Sequence, residues 1–433
     1  MFKLSMKSLV SFSLVIYFFA ALQGGLYFMN NRLQELGIAV ALALYAYTSI
    51  HAALGVKNIR WNWWVFAAPL LVLFVLVGYA VIFSLNTGAI ILPSILASRY
   101  FMLMMIVPAI YFIYRLGYDI QTIERIFIAS MVILLFNYLF HFNRIDMQTA
   151  FFSKSHNINT LITFDEWRGF RLKAPLYVTL ILMLYSAMRV FQRNPFRIKA
   201  EFFLVFSLCG YVLFINMSRA AMGSIILALM MYPFFFSRPN RTHLLIMGIP
   251  LGLLAFSLAA AVLMQAVISH FTNDWSFVVR MKSYTIAWKS FTGHMIFGFG
   301  QASYYSTTYQ EIFGLKFYPS DLGIIGVAFK YGLVGVVMYI FFNIYVIVRL
   351  LKVNWFLRKL KGQHNPLVWA LLIMKTSLFI NLILQPGLVF APGLTLASFS
   401  IAYTACWYEE LGLKSRHHQV SARDTKGVYA VST

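Results

Sequence analysis

Acidic side chains are scarce in this chain: 13 Asp and Glu stand against 35 Lys and Arg in 433 residues, and charges of both signs make up only 11% of it. Cysteine is scarcer still. Cys209 and Cys406 are the two, each inside or at the end of an apolar run. Without CxxC or Cys/His spacing they offer neither a disulfide framework nor a metal site. Sustained heptads, low-complexity tracts and repeats of about 20 to 50 residues are also missing, which excludes coiled coils, disordered arrays and solenoids.

Hydrophobic residues fill the space left by charge. They make up 61% of the chain, with a mean hydropathy of +0.75, outside the range of soluble globular domains. The expected fold class is therefore all-α, a polytopic integral membrane protein. Runs of about 20 apolar residues, enough to cross a hydrocarbon layer of about 30 Å, recur near 8–28, 36–56, 62–85, 96–115, 125–142, 174–192, 201–217, 220–236, 244–268, 322–349, 366–385 and 388–407. That pattern predicts about twelve transmembrane helices. The first run follows Lys3 and Lys7 like a signal peptide, but it is long for one and a second run soon follows, so it reads as an anchor.

Basic residues set the expected orientation. With the N-terminus inside, 21 of the 35 Lys and Arg fall in the N-terminal segment, the tail and five short inside loops, whereas twelve fall on the other side and Lys330 and Lys375 inside spans. This follows the positive-inside rule and places both termini in the cytoplasm. Basic loops against anionic lipid head groups account for the net charge of +22, and no nucleic acid is needed. The expected division is a transmembrane domain over 1–410, external loops near 143–173 and 269–321, and a basic cytoplasmic tail over 411–433.

The external face gathers cations against that trend. Arg99 opens the external end of the fourth span, and Arg168, Arg171 and Lys173 precede the sixth in EWRGFRLKAP. Arg219 sits in a tight hairpin, INMSRAAMGS. Arg280 and Lys282 lie in DWSFVVRMKSYTIAWKSF, a predicted interfacial helix. A surplus of guanidinium on one side suits an anionic substrate, because the planar fork gives phosphate two charge-assisted hydrogen bonds. Interfacial anchoring is the other use for such residues, above all for Arg168 and Lys173.

Asp321 closes the second loop in YPSDLGIIGVAFKYG. It reads as a helix cap, as a carboxylate whose charged form the helix dipole favours, or as a general base.

Several features recur in order: SRAAMGSIILALM, an Arg and a Trp eight apart at Arg280 and Trp288, GHMIFGFG at 293–300, and Asp321 eleven residues before Gly332. Over about residues 165 to 345 this order resembles the O-antigen ligase and O-antigen polymerase superfamily of bacterial envelope glycosyltransferases. The resemblance implies metal-independent, inverting transfer of a glycan from an undecaprenyl diphosphate carrier, without a cofactor. It implies a place in the bacterial cytoplasmic membrane, with the site facing the periplasm or exterior. It implies membrane lipids and the lipid-linked glycan as partners, with room for a chain-length regulator. Carried over by position, Arg219, Arg280 and Arg171 match arginines that hold the diphosphate. Ligases of this superfamily place His, usually followed by Asn, where this chain has Asp321 and Leu322, and His294 does not occupy that position. An aspartate there is more similar to polysaccharide polymerases.

The expected activity is polymerisation of lipid-linked repeat units, with Asp321 and Arg280 catalytic and Arg219, Arg171, Arg99 and Lys282 binding the substrate. Trp167, Trp275, Tyr304, Tyr305 and Tyr309 could line sugar faces, though Trp and Tyr also form interfacial belts. The alternatives are a ligase that moves finished glycan to lipid A core and a transporter of polyprenyl-linked sugars. A transporter predicts charge along the depth of several spans.

Overall fold

The computed structural model describes residues 6–22, 33–55, 63–152, 162–165, 169–192, 194–216, 275–302, 308–314, 317–319, 322–362, 364–380 and 391–429. Their helices are α1 (Met6–Ala21), α2 (Leu33–Gly55), α3 (Trp63–Leu73), α4 (Tyr79–Thr87), α5 (Ile91–Ala97), α6 (Ile106–Arg115), α7 (Ile120–Arg144) and α8 (Met147–Phe152). After a short hairpin, β1 (Ile162–Asp165) and β2 (Gly169–Leu172), come α9 (Leu176–Phe191) and α10 (Phe196–Asn216). The last five are α11 (Trp275–Gly293), α12 (Tyr309–Phe313), α13 (Gly323–Lys361), α14 (Pro366–Ile380) and α15 (Ala391–Tyr429).

This is an all-α polytopic membrane protein. Among the described residues five helices are long and apolar enough to cross a membrane, or six if α5 and the segment Arg99–Arg115, bent by 51°, form one broken span. The expected runs at 220–236 and 244–268 lie outside the described residues. The others fall on described helices, three of which, in α1, α9 and α14, are apolar but shorter. The basic segment after residue 411 continues α15 to Tyr429.

Large apolar side chains face outward, among them Phe196 at 87%, Phe191 at 85% and Leu85 at 80% exposure. In water such a surface would drive association. In hydrocarbon it is the solvent-matched face, and the helices must satisfy their own backbone groups.

Aromatic packing joins the first, middle and last helices. Phe18 of α1 meets Phe127 of α7 edge-on at 4.9 Å, and Phe127 stacks on Phe399 of α15 at 3.8 Å. The helix ends sort into two groups. At one, Tyr114 donates to Glu410 at 2.8 Å, Arg115 pairs with Glu409, and Tyr403 and Asn365 both donate to Glu124. Gln192 donates to the His364 carbonyl there as well. At the other, Arg99 pairs with Glu35, and Tyr138 donates to the Leu172 carbonyl, fixing the hairpin to α7.

Candidate active site

The run GIIGVAFKYGLVG forms the start of α13, and Gly332 breaks it. Its φ of 65° and ψ of −166° are non-helical inside an otherwise continuous helix. The break removes the bonds that the N–H groups of Leu333 and Val334 would make to the carbonyls of Phe329 and Lys330, four residues earlier. Unpaired backbone groups at membrane depth would cost several kcal/mol each.

Residues 295–300 replace those bonds one for one. Leu333 donates to the Met295 carbonyl at 2.8 Å and Val334 to Ile296 at 3.1 Å, while Phe299 donates to Phe329 at 2.7 Å and Gly300 to Lys330 at 3.0 Å. The Tyr331 carbonyl accepts from the Tyr79 hydroxyl at 3.1 Å. The GHMIFGFG turn is thus the missing partner of a discontinuous helix.

Only glycine permits the approach. A Cβ on Gly298 would stand 2.4 Å from the Gly332 nitrogen, and one on Gly332 would stand 2.2 Å from the Ile296 oxygen. Both have positive φ, which L side chains rarely adopt.

Next to the turn, Gln301 donates to the Tyr79 carbonyl at 3.1 Å, and Asn86 donates to the Phe299 carbonyl at 3.2 Å. These contacts tie α4 to the break. Phe83, Phe299, Tyr309, Phe317 and Phe329 form a buried aromatic cluster around it. The Tyr309 hydroxyl donates to the Gly300 carbonyl.

Lys330 is 7% exposed, with Nζ 5.5 Å from the centre of the Tyr309 ring. A cation over a ring, at the C-terminal end of a half-helix, is doubly favoured. The sequence marked Lys330 only as a charge inside a span. Tyr79, Asn86 and Gln301 carried no sequence signal, because their role depends on which segments meet.

The expected site residues fall differently. Arg280 and Lys282 belong to α11, which packs on α13. Lys282 is exposed, and the Arg280 side chain lies outside the described residues. Asp321 and Arg219 also lie outside them. Leu322 holds the N-cap position of α13, and Gly323 is the first helical residue. The expected start at Leu322 is therefore one residue early.

Arg171 lies on β2 opposite Thr163. Arg99 donates to Glu35 at 2.8 Å and to the Leu96 carbonyl at 2.7 Å, a structural employment that its sequence position did not reveal. His294 sits with Nδ1 3.1 Å from the Ser290 carbonyl and packs edge-on against Phe299, so it belongs to the turn.

Of the aromatic residues expected to line sugar, Tyr309 is buried in the cluster at 6% exposure. Trp167, Tyr304 and Tyr305 lie outside the described residues, as does the side chain of Trp275. Trp288, 57% exposed on α11, presents an open ring on the helix that carries Arg280.

Residues 202–340 match a family model described as O-Antigen ligase. The matched segment contains Arg219, α11, the glycine turn, Asp321 and the break at Gly332, but neither Arg99 nor Arg171. No curated protein matches the chain.

Proposed function

We propose, for a chain whose residues 202–340 match a family model described as O-Antigen ligase, that it polymerises lipid-linked oligosaccharide repeat units by inverting, metal-independent transfer from an undecaprenyl diphosphate donor. The observation that supports this reading is the family match over residues 202–340, a segment that contains Arg219, Arg280 and Asp321. The aspartate in place of histidine favours a polymerase.

In this reading the acceptor hydroxyl attacks the anomeric carbon. As the new C–O bond forms, the bond to the diphosphate breaks and the proton passes to Asp321. Diphosphate is already a good leaving group, so the main demand is to neutralise charge developing on its oxygens. Arg280 and Arg219 meet that demand, with Arg171 and Lys282 supporting. Removing one such donor costs about 100- to 1,000-fold in rate, and removing a general base costs about 100- to 10,000-fold. Arg99 is committed to Glu35 and takes a supporting place at most. One base suffices for inversion in a single displacement.

The test is complementation of a strain lacking its polymerase, with glycan length read on a gel. Asp321→Asn and Arg280→Ala are expected to accumulate single lipid-linked units. Full-length chains from both variants would remove these residues from the mechanism. The description of the matched family favours a second reading, transfer of finished glycan to lipid A core or another acceptor. Long lipid-linked polymer would then accumulate instead. Movement of labelled carrier across liposomes without elongation would establish a transporter.

A further inference from the structure

Far from the break, α13 runs beside α15 and forms a groove of about 320 Å³ lined by Tyr345, Val348, Arg349, Lys352 and Tyr408. The Arg349 Nε donates to the Tyr345 hydroxyl at 2.8 Å. Its guanidinium carbon lies 4.3 Å from the centre of the Tyr408 ring and 5.2 Å from that of Tyr345. Two rings therefore hold the guanidinium in one place.

Neither Arg349 nor Lys352 meets a carboxylate among the described residues. The acids that follow Tyr408 are occupied, Glu409 by Arg115 and Glu410 by Tyr114. Two cations three residues apart on one helix repel each other, and a shared anion would relieve that repulsion.

The same helix stripe supplies an apolar approach. Phe341 is 62% exposed and Val348 39%, and with Tyr345 and Lys352 they recur at helical spacing along one face. A chain of hydrocarbon can lie on that stripe while its phosphate reaches the cations. From Leu333, just after the break, to Arg349 the helix rises at about 1.5 Å per residue, roughly 24 Å, so the groove lies most of a membrane thickness from the break.

We propose that the Arg349–Lys352–Tyr345–Tyr408 groove binds the phosphate of an anionic phospholipid, whose acyl chain runs along Phe341 and Val348. A free phosphate would use the cations but not the stripe. Basic pockets between membrane helices have the charge and depth for such head groups.

The test uses the full chain, purified in detergent and stripped of lipid, with thermal unfolding followed while lipid is added. Phosphatidylglycerol is expected to raise the midpoint more than phosphatidylcholine with the same acyl chains. Lys352→Gln should weaken the apparent affinity for phosphatidylglycerol about fivefold, and Arg349→Gln with Lys352→Gln by more. Lys359→Gln, on the same basic segment but outside the groove, should leave it unchanged. Lys352 is exposed, so its variant tests the site even if the double variant does not fold. The proposal is overturned if Lys359→Gln weakens binding as much as Lys352→Gln, if the double variant folds and keeps wild-type affinity, or if inorganic phosphate or pyrophosphate alone reproduces the shift.

Discussion

A charge buried at membrane depth must be met by a partner or by water, and Lys330 and Lys375 differ in how they are met. Lys330 lies over the Tyr309 ring at the end of a half-helix, whereas the Nζ of Lys375, 2% exposed, has no hydrogen-bond partner among the described residues. His364, in the turn between α13 and α14, gives a sharper single-residue expectation. Its Nδ1 stands 3.2 Å from the Asn354 amide oxygen, and burial, followed by Arg358, holds its pKa below the ordinary 6.5. The folded chain keeps this ring neutral where the unfolded chain protonates it. The associated stability is present above about pH 6.5 and is lost as the pH falls through the lower folded-state value. Thermal midpoints measured from pH 7.5 to 5 should fall, and His364→Gln should flatten that part of the curve. An unchanged slope in the variant would assign the pH dependence elsewhere.

Among the elements, the discontinuous α13 and the turn 293–300 make one unit. Gly298→Ala or Gly332→Ala would bring a methyl group within 2.4 Å of backbone atoms, and neither backbone can yield without breaking the exchanged hydrogen bonds. Each is expected to destabilise by about 3 kcal/mol or more. Gly88 also has positive φ but has open space around its position, so Gly88→Ala should cost only the local strain of about 1 kcal/mol. Detergent-solubilised protein recovered as a monodisperse peak after a temperature series compares them. Equal losses for Gly88→Ala and Gly332→Ala would mean that backbone strain, not crowding, sets the cost. The sequence showed GFG and GLVG as motif markers, because glycine is visible wherever it occurs. It did not show that they meet, since contact between residues 295–300 and 329–334 is a property of the folded chain. The helix over 275–293 was legible from its apolar and basic alternation. Arg99 was not, because its partner Glu35 lies on another helix.

For the whole molecule, two groups of helix ends define two surfaces. One holds the Arg115, Glu409, Glu124 and His364 contacts, and the other holds Arg99, Glu35 and the hairpin. The positive-inside rule gives the expectation that the first faces the cytoplasm. A membrane-impermeant maleimide added to right-side-out spheroplasts should label a Gln148→Cys variant and not an Arg197→Cys variant. Cys209 and Cys406 are buried and should stay unlabelled. The reverse pattern would overturn that expectation. Composition made the membrane class legible because hydrocarbon tolerates few charges, so hydropathy alone separates it from soluble folds. The local course of each span was less legible. Pro69 inside α3, the π-helical turn Phe74–Gly78 and the 51° bend after α5 all lie within runs of uniform apolarity. The four backbone bonds at Gly332 have a further effect on the chain between them. They fasten residues 295–300 to residues 329–334, so the chain between them, which includes Asp321, starts and ends at one place. A change of length between residues 302 and 308 would therefore leave the helices on either side in register.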